Sequence, residues 1–76
     1  MIPLTQLKKH VPAIIERVEH PDQSMKLMEM GCLPGERIVI EHIAPLGDPI
    51  AVSVAGYKLS MRKADAQNIL VKMLSE

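Results

Sequence analysis

The stretch Leu27-Met28-Glu29-Met30-Gly31-Cys32-Leu33-Pro34-Gly35-Glu36 writes two backbone reversals into ten residues. Residues 22–30 carry good helix formers, among them Gln23, Lys26, Leu27, Met28 and Glu29. Gly31 follows at the position where helices commonly stop in a left-handed conformation that glycine adopts without strain. The pattern predicts a helix ending at Met30, with Cys32 or Leu33 folded back onto Leu27 as the apolar contact of the stop. Pro34-Gly35 suits the centre of a type II turn, where proline presets φ and glycine supplies a positive one. A strand has to leave that turn, and Arg37-Ile38-Val39-Ile40 begins it.

Working outward towards the N-terminus, residues 3–7 read as one helical turn that Thr5 could cap, and residues 8–12 as a polar break. Residues 13–19 place β-branched side chains around a charged middle. That predicts a half-exposed strand, bulged near Arg17, with Ile15 and Val18 inward. His20-Pro21-Asp22 is turn chemistry, and Asp22 is the expected helix cap. A helix of barely two turns is too short to stand alone, so Leu27 and Met30 are expected to be buried.

Towards the C-terminus, Ile38 and Ile40 share one strand face. Ala44-Pro45-Leu46-Gly47-Asp48-Pro49 is a loop, punctuated by two prolines and Gly47. Ile50, Val52 and Val54 alternate inward, Ala55-Gly56-Tyr57-Lys58 turns the chain, and Leu59 and Met61 point inward on the next strand. Residues 62–68 return to helical composition with Asn68 as a left-handed stop, and residues 69–73 form the last strand with Ile69 and Val71 inward. Five short strands and two short helices, each strand joined to a near neighbour, predict a mostly β fold. The expected architecture is a small, closed or nearly closed barrel, one domain over residues 1–76.

Nine basic and nine acidic residues balance to zero, which argues against a nucleic-acid module. Cys32 is the only cysteine, so one chain can form neither a disulfide nor a thiolate cluster for zinc, and a reducing cytoplasm is the expected home. The apolar run 11–15 is far too short for a signal-peptide core or a membrane span, so no direct membrane insertion is expected.

Four segments together resemble one family. They are Leu27-x-Glu29-Met30-Gly31-x-Leu33-Pro34-Gly35, then Ile38-x-Ile40, then Ala44-Pro45-Leu46-Gly47-Asp48-Pro49-Ile50-x-Val52-x-Val54-x-Gly56, then Leu59-x-Met61-Arg62-Lys63-x-x-Ala66-x-x-Ile69-x-Val71. In that order and spacing they are similar to the ferrous iron transport protein A family, FeoA. Lys26 stands where the family usually has arginine, a compact charge in place of a planar fork. The resemblance implies an SH3-like five-stranded barrel and a cytoplasmic accessory to the membrane iron transporter FeoB, which carries a cytoplasmic GTPase domain.

Read residue by residue, the sequence offers little catalytic chemistry. His10, His20 and His42 lack the paired spacing of a metal site, and Cys32 beside a helix stop reads as a small buried hydrophobe. Glu29 and Asp48 are the only carboxylates to weigh as a pair, with no nucleophile or base beside them. The Gly47-Asp48-Pro49 loop lacks the glycines and lysine of a phosphate loop. No catalytic residue, resident metal or cofactor is expected. Apolar residues exceed what one face of each strand can bury, and Met25, Met28 and Tyr57 are among those left over. They predict an exposed apolar patch centred on Met25 and Met28 with Leu46 added, a surface for a partner or for weak self-association. Three functions follow: an accessory docking on the FeoB transporter, a direct iron carrier using Cys32 with a histidine or Glu29, and a peptide-binding SH3-like module. The scarcity of aromatic residues, Tyr57 alone, counts against the last.

Overall fold

In the computed structural model, which describes residues 1–74 apart from the side chains of residues 21–24, the helix α1 spans Pro21–Glu29 and is capped by Met30. Gly31 N–H donates to the Met28 carbonyl at 3.1 Å and Cys32 N–H to the Leu27 carbonyl at 3.0 Å, the paired bonds of a Schellman stop. Gly31 carries the positive φ this requires, +107°. Cys32 is the residue that folds back: it is fully buried with Leu27 in the core, whereas Leu33 is exposed. Glu36 N–H then donates to the Leu33 carbonyl at 3.1 Å and Gly35 has φ +92°, which completes the type II turn. At its other end α1 begins at Pro21, after His20 in a left-handed conformation. The side-chain cap expected of Asp22 lies outside the described residues. Met30 departs from expectation, since its position past the last helical turn leaves it 36% exposed while Leu27 makes the buried contact.

Six strands form one antiparallel sheet: β1 (Ile2–Pro3), β2 (Ala13–Val18), β3 (Arg37–Ile43), β4 (Ile50–Val54), β5 (Tyr57–Met61) and β6 (Ile69–Met73), in the order β1-β6-β2-β3-β4-β5. The sixth strand, beyond the five expected, is Ile2–Pro3, which pairs with Val71 and Leu70. Two residues carry no alternation, so this pairing has no local signature. The sheet curls without closing through hydrogen bonds, and β1 and β5 are its edges. The expected irregularity near Arg17 is present as a register shift between Ile15 and Arg17. A second shift, between Ile40 and His42, turns Ile43 back towards the core after the extra residue Glu41.

Ahead of β2, a 3₁₀ turn spans Leu4–Gln6 with Pro3 at its cap and no side-chain cap bond, so Thr5 sits inside the turn and does not cap it. Leu4 and Leu7 plug the core beside Ile15, Ile38, Ile40 and Val71. The second helix, α2 (Lys63–Ala66), is shorter than its composition suggested. Asn68 is not left-handed. Its N–H donates to the Asp65 carbonyl at 3.0 Å and its carbonyl accepts the Glu19 N–H at 2.6 Å, so the chain runs directly from a tight turn into β6. Tyr57 and Lys58, expected in a turn, belong to β5, because Ala55 and Gly56 alone reverse the chain with φ of 52° and 82°. Positive φ at both positions makes this a two-residue type I′ hairpin.

Candidate partner-binding surface

The Schellman stop sets α1 against the β4–β5 hairpin. A Cβ built on Gly31 would come within 3.1 Å of the Ala55 Cβ, so the end of the helix is pressed onto the hairpin turn. Between α1 and β5 lie two depressions, of about 410 and 330 Å³. Met30 borders both and joins them into one groove. The larger has Tyr57, Lys58 and Leu59 on its β5 wall and Glu29 beside Met30 opposite, and the smaller has Ser60 and Met61 facing Lys26 and Leu27. Arg62 Nε and Asp65 Oδ2 pair at 3.5 Å beside it and offset each other's charge.

Of the patch residues singled out from sequence, none of Met25, Met28 and Leu46 lines this groove. Met25 is exposed and Met28 half-buried on α1, but it is Lys26, Leu27, Glu29 and Met30 that line the depressions. Leu46 is 96% exposed on the β3–β4 loop. That loop is held by bonds from Gly47 N–H to the Ala44 carbonyl (2.7 Å) and from Ala44 N–H to the Pro49 carbonyl (3.1 Å), with Asp48-Pro49 in the cis form. Asp48 Oδ1 accepts the Lys63 N–H at 3.0 Å, so this carboxylate caps the first turn of α2, while Glu29 borders the groove. Met30 escaped the sequence reading as a surface residue because it was assigned inward, whereas Leu59 packs against the core as expected and also borders the groove. Tyr57, in the apolar surplus, was the available signal.

Cys32 has no exposed surface, and desolvation pushes its thiol above the ordinary range, towards the neutral form that ligates metals poorly. His10 Nδ1 lies 3.8 Å from Glu41 Oε1 on the exposed side of the sheet, and Ser53 Oγ donates to Glu41 Oε2 at 2.8 Å. Among the described residues no group of three or more His, Cys, Asp and Glu side chains could hold a metal ion. No helix among them is long and apolar enough to cross a membrane.

Comparison with known proteins places these features in a family. The FeoA domain model matches residues 2–73. An Fe(2+) transport protein A/Fe(2+) transporter FeoB fusion protein of Porphyromonas gingivalis is 36% identical over 73 residues, which cover 95% of this chain and 9% of the fusion. The solution structure of a FeoA-like protein from Clostridium acetobutylicum is 38% identical with a TM-score of 0.89, over 99% of this chain and 88% of that one. FeoA of Stenotrophomonas maltophilia, solved in complex with zinc and described as a prokaryotic SH3 domain protein, is 26% identical with a TM-score of 0.81, over 95% and 91% of the two chains. The expected SH3-like architecture, with two short helices, is therefore the one observed. The chain belongs to the FeoA domain family.

Proposed function

We propose that this protein is a small cytoplasmic, non-enzymatic accessory of ferrous iron uptake that docks as a single domain on the cytoplasmic part of a FeoB-type transporter and modulates its transport or GTPase cycle. The observation that carries this reading is the fusion relative, in which a segment matching 95% of this chain is covalently part of a FeoB protein. Covalent joining of two modules makes their contact intramolecular, and it supports a working contact between the same modules when they are separate chains. An exposed, proline-stiffened Leu46 and the apolar flank of α1 carrying Met25 and Met28 are the kind of surface such docking uses, because a held loop loses little freedom on binding. Gly31, Pro34, Gly35 and Gly47 shape the turns that present it.

The test is capture of the solubilised cognate transporter by the parent protein and by Met28→Lys and Leu46→Lys, with growth on limiting iron as the second readout. Both variants are expected to keep the parent melting temperature within a few degrees while weakening capture and growth. If both fold and still support capture and growth, the docking surface lies elsewhere. Absence of capture by the parent rejects the reading itself.

A further inference from the structure

The groove beside α1 has an edge strand for its other wall, and hydrogen-bond parity decides which groups that edge presents. Val54 and Tyr57 flank the two-residue turn, so they exchange both ladder bonds, and the alternation repeats at Val52 with Leu59 and Ile50 with Met61. The N–H and C=O groups of Lys58 and Ser60 therefore point away from β4. No other strand pairs with β5, and no loop or cap bond among the described residues reaches those four groups. They have the valence of a strand template.

Side chains along the edge narrow what can pair there. Lys58 stands on the outer face of the sheet opposite Ser53, and no salt bridge among the described residues involves it. A second copy of β5 laid antiparallel along this edge would bring the two Lys58 ammonium groups opposite or diagonal to each other, an arrangement that like charge disfavours. An acidic residue opposite Lys58 is favoured for the same reason. Because strand side chains alternate, the next residue of an added strand faces the groove, where Met30, Tyr57 and Leu59 offer apolar surface. We infer that β5 accepts an added strand from its partner: an extended segment, acidic at one position and apolar at the next, that pairs its main chain with Lys58 and Ser60 and lies against α1. The identification of its source as the FeoB-type transporter rests on the function proposed above.

Ser60→Pro isolates this contact. It removes an N–H that β4 does not use, and proline is tolerated on an edge strand in that orientation. With the full-length protein and the solubilised transporter, Ser60→Pro is expected to retain the folded amide spectrum and to bind about tenfold or more weakly, while Ser60→Ala binds as the parent does. Lys58→Glu is expected to bind about threefold more weakly at low salt. Hydrogen exchange supplies a readout that needs no variant. The Lys58 and Ser60 amides of the free protein exchange fast and become slow in the complex, whereas those of Leu59 and Met61 are slow throughout. Parent-like binding by a folded Ser60→Pro, or fast Lys58 and Ser60 amides in the complex, overturns the edge pairing and leaves docking intact. Protection of those two amides on concentrating the protein alone identifies a second copy as the occupant and overturns the assignment. No binding by the parent overturns docking and edge pairing together.

Discussion

Gly31 is constrained twice, by its φ of +107° and by the Ala55 methyl group that a Cβ would meet at 3.1 Å. Gly31→Ala is expected to lose about 1–3 kcal/mol, read as a drop in melting temperature. The loss should be smaller in an Ala55→Gly background, where the steric part disappears and the conformational part remains. Ala55 is itself a non-glycine residue at φ 52°. Ala55→Gly alone is therefore expected to stabilise the protein by about 0.5–1 kcal/mol in denaturant melts, strain relief exceeding the added freedom of the unfolded chain. Cys32 supplies a pH dependence. Burial raises its thiol pKa in the folded state, so the neutral form is favoured there and the native protein binds more protons than the unfolded one once pH exceeds the ordinary thiol value of about 8.5. This contribution is complete below that value and is lost as pH rises through the folded pKa. Melting between neutral pH and pH ~10 should show a decline that Cys32→Ala removes.

Among the elements, those with local causes were legible. The end of α1 and the turn after it follow from Gly31 and Pro34-Gly35, because left-handed glycine and preset proline are properties of single residues. The alternation of β4 was equally plain, since each of Ile50, Val52 and Val54 is buried. Elements whose ends depend on distant partners were not. Asn68 suggested a left-handed stop, but its backbone is bonded to Asp65 and Glu19. The start of α2 is capped by Asp48, fifteen residues earlier in the chain. Asp48→Ala should cost about 0.5–1 kcal/mol, as cap losses do, and should speed exchange of the Lys63 amide.

For the molecule as a whole, the N-terminal segment decides more than its composition suggests. Leu4 and Leu7 are buried against the barrel and Ile2–Pro3 adds a strand to β6. At 76 residues the net stability is on the order of 4–11 kcal/mol. Leu4→Ala is expected to remove about 2–5 kcal/mol of it, read as a large drop in the denaturation midpoint. The sequence by itself determined the mostly β class, the two reversals around Gly31 and Pro34-Gly35, the inward faces of β3, β4 and β6, and the family. Each of these rests on backbone preference, on period-two alternation, or on an ordered set of such signals along the chain. Only the tertiary structure decided that β5 is left as an edge, that Met30 borders a groove with Tyr57 and Leu59, and that Leu4 plugs the core. Strand order and groove walls arise from contacts between residues far apart in sequence, and no local spacing of side chains encodes which strand goes unpaired.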